Sequence, residues 1–276
     1  MLEQQGRIRY CSLSSSSRHG NAYLVTTTEA VVLVDYGVRL RRMETFMAEL
    51  GMAPGEVDAI FVTHEHFDHT AGMRIKYPLH LRYGIKAVYS APRTWKALDV
   101  PIKPPYFPIR PNETVNVGDI SVTAIRKSHD AAQPLGFLLR SPRESLAVVT
   151  DLGLVEPGMV NALRDTTHVI LESNHDVDME VRSGRPRSLI DRVLGNHGHL
   201  SNDQAARALS EIVGPNTQTV LLAHLSLDCN TPSIALEACS GEILHQDITL
   251  ACAPADIPGP WMGSDTETRS EDISAG

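Results

Sequence analysis

The segment that most constrains this chain is THEHFDHTAG at residues 63–72, set directly behind the apolar run VDAIFV at 57–62. An apolar run of that length reads as a buried strand, so the histidines behind it stand at a strand end. His64 and His66 are two apart on an extended segment and point the same way, which lets both grip one metal ion. The chain then turns towards a helix, so Asp68 and His69 can serve a neighbouring position. Nitrogen and carboxylate donors in this mixture suit zinc, manganese or iron, whereas calcium would require more oxygens.

A site for two cations needs more ligands, placed behind other strands so that all converge on one edge. Three residues fit. His129 lies in Ser128-His129-Asp130, behind a strand ending near Ile125; Asp151 follows SLAVVT; His224 follows TVLLA. An aspartate such as Asp151 can bridge two cations with its two oxygens. The chain holds 12 histidines against 5 phenylalanines and 2 tryptophans, which makes convergence of this kind worth testing.

Strands are expected at 7–13, 22–26, 30–35, 57–62, 86–90, 114–125, 135–140, 145–150, 167–172, 217–222 and 246–251. Helices are expected at 38–50, 91–98, 201–213 and 232–239. Prolines at 101, 104, 105, 108 and 111 confine that stretch to a loop or an extended edge. Many strands have no helix between them, so the pattern points to an α/β protein of two mixed sheets packed face to face, with helices outside. One domain is expected over 1–254, with a polar, disordered tail over 255–276.

Composition narrows the function. With 25 basic and 33 acidic residues the net charge is −8, which argues against a basic nucleic-acid coat protein. It leaves a nuclease open, because bound cations supply local positive charge. No apolar stretch reaches membrane-span length, and the first twenty residues lack the pattern of a secretory leader, so no membrane partner and a cytoplasmic location are expected. The four cysteines form no CxxC pair and read as reduced thiols.

The order H-x-H-x-D-H, then a separate His, an Asp and a last His resembles the metallo-β-lactamase superfamily. The blocks LSSSSRHGNAYLV at 13–25, SHDAAQPLGF at 128–137, TDLG at 150–153, LESNHD at 171–176, GHLSNDQAA at 198–206 and LAHLSLDCNTP at 222–232 resemble its YycJ/WalJ group more specifically. LDCN at 227–230 is a small departure, since that group more often has an asparagine pair. The resemblance implies a four-layer αββα sandwich and a metal-dependent 5′→3′ DNA exonuclease of genome maintenance. It assigns His64, His66 and His129 to a first metal and Asp68, His69 and His224 to a second, with Asp151 bridging two divalent ions, Zn²⁺ or Mn²⁺. Asp35, behind an early strand, resembles the aspartate that supports a ligand in that superfamily.

Such a site would direct a bridging hydroxide at phosphorus, with Asp68 orienting it. His199 is the candidate acid for the leaving oxygen, and His175 is a weaker catalytic candidate. The polar turn at 14–21 offers Ser15, Ser16, Arg18 and Asn21 for a terminal phosphate, and Ser201 could contact phosphate at a helix start or simply cap that helix. Arg182, Arg185, Arg187 and Arg192 are either a phosphate-binding group or an ordinary charged face. His80, His168 and His245 read as structural. DNA is the expected partner, with oligomeric state open. The alternatives are hydrolysis of RNA, a small phosphodiester or a lactone, or a non-catalytic nucleic-acid-binding relative.

Overall fold

The computed structural model describes residues 5–75, 78–100, 103–243 and 247–263. The first sheet carries β1 (Arg9–Ser16), β2 (Gly20–Thr26), β3 (Val31–Val34), β4 (Ala59–Phe61), β5 (Ala87–Ser90) and β6 (Tyr106–Pro108), adjacent in that order. The second carries β7 (Thr114–Val117), β8 (Ile120–Arg126), β9 (Leu135–Arg140), β10 (Ser145–Val149), β11 (His168–Glu172), β12 (Thr219–Ala223) and β13 (Thr249–Cys252), again in order. β14 (Met262–Gly263) returns to pair with β1. Both sheets are mixed: β1–β3 and β7–β10 pair antiparallel, while β3–β6 and β10–β13 pair parallel.

The apolar strands follow from burial on both faces. In β3, Val32 and Val34 point into the core between the sheets, and Leu33 points outwards. In β11 and β12, Ile170 and Leu221 face that inner core, while Val169, Leu171, Val220 and Leu222 face out. Helices cover the outer faces. On the first sheet these are α1 (Leu40–Glu49), with the short α2 (Phe67–Thr70), α3 (Leu79–Tyr83) and α4 (Pro92–Ala97) in the connections. On the second they are α5 (Pro157–Leu163), α8 (Asn202–Ile212) and α9 (Pro232–Ile243), with the short α6 (Val177–Arg182) and α7 (Arg187–Leu194) in the connection before α8. The result is the expected αββα sandwich.

Three expectations change. The single strand at 114–125 is a hairpin, because Gly118 takes a left-handed φ of 54° and turns β7 back into β8. The polar turn at 14–21 contracts to three residues, since β1 runs to Ser16 and β2 starts at Gly20. The tail does not begin at 255: Ser14 Oγ donates to the Ala255 carbonyl, Gly259 N–H to the Ser12 carbonyl, and the Arg9 guanidinium lies over the Trp261 ring. Backbone pairing therefore holds 255–263 against β1; residues 264–276 lie outside the described residues, as does His245.

Parallel strands place their C-terminal ends, and the loops behind them, along one edge of the sandwich. Gly37, just past β3, is needed there: a Cβ on it would lie 1.6 Å from the Asp68 carbonyl oxygen. Gly37→Ala must push aside the loop that carries Asp68 and His69. It should destabilise the fold by about 1–3 kcal/mol and weaken metal binding. Denaturant unfolding checks this, and an unchanged midpoint would contradict it.

Candidate metal centre

Asp35, Asp151 and His224 follow β3, β10 and β12, and all three adopt left-handed φ values of 62°, 55° and 56°. For non-glycine residues this costs on the order of 1–3 kcal/mol each. The turns swing these side chains back over the strand ends into one cluster.

Two ligand groups form. In the first, His66 Nδ1 lies 3.1 Å from His64 Nε2 and 3.3 Å from His129 Nε2. In the second, His69 Nε2 lies 3.1 Å from Asp151 Oδ2 and 3.5 Å from Asp68 Oδ2. His224 Nε2 lies 3.4 Å from Asp151 Oδ1 and 3.6 Å from Asp68 Oδ2. Asp151 Oδ1 also stands 4.0 Å from His129 Nε2, so this carboxylate lies between the groups. The structure thus brings together all seven residues expected from sequence.

Hydrogen bonds behind the rings set their tautomers. His64 Nδ1 donates to Thr63 Oγ1, which donates to Asp35, and His129 Nδ1 donates to the Gly198 carbonyl. His69 Nδ1 donates to Asp35 at 2.6 Å, and His224 Nδ1 to Glu172 at 3.0 Å. In each case Nδ1 is engaged and Nε2 is the nitrogen turned to the cluster, the arrangement expected behind metal-bound histidines. Gly198 can present its carbonyl because it has no side chain: a Cβ there would lie 2.1 Å from the Arg192 carbonyl oxygen.

The electrostatics of the groups differ. Burial pushes His64 down, aided by His69 and Lys127, and pushes His129 down to about 4. Both are neutral at neutral pH. Burial also pulls on His69 and His224, but carboxylates outweigh it. Asp151, Asp35 and Asp68 hold His69 well above its ordinary value, and Asp151, Asp68 and Glu172 raise His224 to about 10. Burial alone would raise Asp151, yet His224 and His69 hold it well below the usual carboxylate range.

The donor set fits divalent cations. Asp151 Oδ2 and His224 Nε2 are buried without a hydrogen-bond partner, and two of the three candidate ligand groups share Asp151 and His224. Buried donor atoms left unpaired in this way call for a cation. The third group adds Glu172 and His199.

Residues 31–225 match the family model described as the beta-lactamase superfamily domain. The chain belongs to the metallo-β-lactamase superfamily. It is 34% identical over 230 residues to Exodeoxyribonuclease YycJ of Bacillus anthracis, covering 81% of this chain and 85% of that protein. It is 29% identical over 245 residues to Exodeoxyribonuclease WalJ of Streptococcus pneumoniae, covering 86% and 89%. The fold matches the metallo-β-lactamase fold protein YhfI of Bacillus subtilis, with TM-score 0.68, 14% identity and coverage of 94% and 100%. It also matches the short form of human tRNase Z, with TM-score 0.62, 13% identity and coverage of 91% and 98%. This superfamily chain is accordingly a metal-dependent hydrolase.

Other expected residues take different places. Ser15 and Ser16 are buried in the β1 end of the hairpin, where Ser15 Oγ contacts Tyr23 Oη and accepts from His224 N–H. Ser15 therefore holds the His224 loop from within instead of lining an open surface. Asn21 Nδ2 reaches Asp68 Oδ2 at 3.1 Å and His69 Nε2 at 3.0 Å, positioning two ligands from the side. Ser201 caps α8 in a capping box with Gln204, as the simpler reading has it. Arg18 keeps an exposed head, paired with Asp228 at 3.3 Å. Arg182, Arg185, Arg187 and Arg192 are all ion-paired to carboxylates, which makes them a charged face. His168 is structural, bonded to Thr219 and Glu144. His175 is buried, its two ring nitrogens have no hydrogen-bond partner, and it joins none of the ligand groups.

The residue that sequence reading missed is Glu172, last in β11 and fully buried. Its carboxylate accepts from Asp151 N–H, Leu152 N–H, Leu200 N–H, His199 Nδ1 and His224 Nδ1. Burial would raise it, but His199 and these bonds hold it low. The available signal was a glutamate ending the apolar run HVIL. Glu172→Gln turns one acceptor into a donor facing N–H groups. Metal affinity should fall about 10–100-fold in competition with a chromophoric chelator; unchanged affinity would contradict the role.

Raised to about 10, His224 holds a second ring proton at pH 7 in the metal-free chain, in a position that a cation would take. Metal binding must displace it, so affinity should rise with pH up to about 10. Calorimetry in buffers of different ionisation enthalpy should record proton release at pH 7. Binding with no release would contradict the arrangement.

Proposed function

We propose that the chain is a two-cation phosphodiesterase that digests DNA from the 5′ end in the cytoplasm. The observation carrying this is the placement of His64, His66 and His129 on one side of Asp151 and of Asp68, His69 and His224 on the other. The exodeoxyribonuclease names of its YycJ and WalJ relatives support DNA as the substrate. When bound, two divalent cations, Zn²⁺ or Mn²⁺, supply a hydroxide nucleophile at neutral pH and offset the charge that builds on phosphorus.

The chain's own residues do the rest. Asp68 sits at the face of the cluster, only partly buried, where its free carboxylate edge can orient the nucleophile. His199 has Nδ1 fixed on Glu172 at 2.9 Å, and its ring centre lies 5.2 Å from those of both His129 and His224. That fixes the ring and turns Nε2 towards the 3′ oxygen that departs; to serve as its general acid the ring must carry a proton on Nε2 as well as on Nδ1. His175 takes no step in this scheme. Arg18, exposed on the hairpin turn, would meet a terminal phosphate by exchanging its Asp228 partner for it.

The test is digestion of a short duplex labelled separately at each end, with Mn²⁺ or Zn²⁺ restored after chelation. Stepwise loss from the 5′ end is expected. No cleavage of DNA, with turnover of RNA or of bis-p-nitrophenyl phosphate retained, would move the substrate elsewhere. Asp68→Ala should abolish hydrolysis with the fold intact. His199→Ala should lower kcat by about 10²–10⁴-fold with a smaller change in KM, and unchanged kcat would remove its role as acid.

A further inference from the structure

Beside the first ligand group lies a cleft of about 400 Å³ that the scheme above does not use. His129 forms its inner end, and Arg93, Arg126, Lys127, His197 and Glu156 are among its walls. Arg93 comes from α4 on the first sheet and Arg126 from the end of β8 on the second, so the cleft crosses the seam between the sheets. Both arginines are exposed.

Their setting differs from that of the arginines around α6 and α7. Arg182, Arg185, Arg187 and Arg192 each have a carboxylate within 4 Å, whereas neither Arg93 nor Arg126 forms an ion pair among the described residues. Lys127 is turned inwards, its Nζ donating to the Thr150 carbonyl, and so adds positive charge from beneath without competing for the opening. On a chain of net charge −8, two unpaired guanidinium groups leading to a metal ligand form a local positive path.

We infer that this cleft holds the phosphate backbone of one nucleic-acid strand on the His129 side of the scissile phosphate, with Arg93 and Arg126 as the groups that grip it. The inference rests on the nuclease reading and deepens it. Guanidinium forks suit phosphate oxygens. At about 400 Å³ the cleft is of small-ligand size. The cleft carries no row of aromatic faces for base stacking, so the grip is on the backbone and independent of sequence. It is lined by His129 of the first ligand group, whereas Asp228, the partner of Arg18, stands four residues past His224 of the second. The strand thus crosses the metal centre from the first ligand group towards the second.

The test is fluorescence anisotropy with a labelled single-stranded 20-mer in chelator, across a salt series, alongside metal-restored turnover of bis-p-nitrophenyl phosphate. Arg93→Gln/Arg126→Gln should weaken DNA binding about tenfold or more and make the plot of log affinity against log salt shallower by about 1.4, or 0.7 for each phosphate no longer neutralised. Turnover of the small diester should stay unchanged. Arg41→Gln/Arg207→Gln, the same charge change at exposed sites away from the cleft, should leave all three readouts unchanged. Equal DNA affinity and salt slope in the two double variants would overturn the cleft assignment while leaving the nuclease reading in place. Wild-type protein that turns over the diester but neither binds nor cleaves DNA would overturn the nuclease reading, and the cleft assignment with it.

Discussion

The site hangs on two buried carboxylates that touch no expected substrate position. Glu172 ends β11 and ties together the Asp151 turn, the His199–Leu200 segment and the His224 ring. Asp35 does the same in the other sheet, holding Thr63 through its N–H and hydroxyl and His69 through Nδ1. Each sheet supplies one such anchor at a strand end. A buried carboxylate is tolerable only when well bonded, and these two satisfy that requirement by orienting the residues that face the cations.

This explains the asymmetry between the ligand groups. His64 and His129 rest on a hydroxyl and a carbonyl, both neutral, whereas His69 and His224 rest on Asp35 and Glu172. His64 and His129 thus have no carboxylate behind Nδ1, and the second group concentrates the negative charge. The sandwich makes the arrangement possible, because strands buried on both faces give rigid ends from which left-handed turns at Asp35, Asp151 and His224 can project. The αββα fold and the chemistry are therefore one design: the turns are strained, and the packed sheets hold the strain.

Much of this was legible in the sequence because the ligands stand immediately behind apolar strands. Strand burial gives runs such as TVLLA and SLAVV, and a lone His or Asp after such a run is conspicuous. Glu172 was not legible as a functional residue, because it is the last residue of its strand and its role depends on donors 20 to 52 positions away. The serines of the hairpin misled for the opposite reason. Polar residues in series resemble a loop, yet Ser14, Ser15 and Ser16 are buried and bonded to the Ala255 carbonyl, Tyr23 and the backbone N–H groups of His224 and Arg18. The blocks at 171–176, 198–206 and 222–232 likewise meet in a buried polar knot. There Ser173 Oγ donates to Asn202 Oδ1, and Asn230 Nδ2 reaches the Ser173 and Asn174 carbonyls. Nothing local in the chain announces such a knot, since its partners lie 29 to 57 positions apart.

The central claim is that these seven residues form two adjacent cation sites sharing Asp151. Anomalous diffraction from crystals grown with Mn²⁺ or Zn²⁺ tests it most directly. The account predicts two peaks about 3.5–4 Å apart, one against His64, His66 and His129 and the other against Asp68, His69 and His224, with Asp151 contacting both. A single peak, or metal bound away from Asp151, would contradict it.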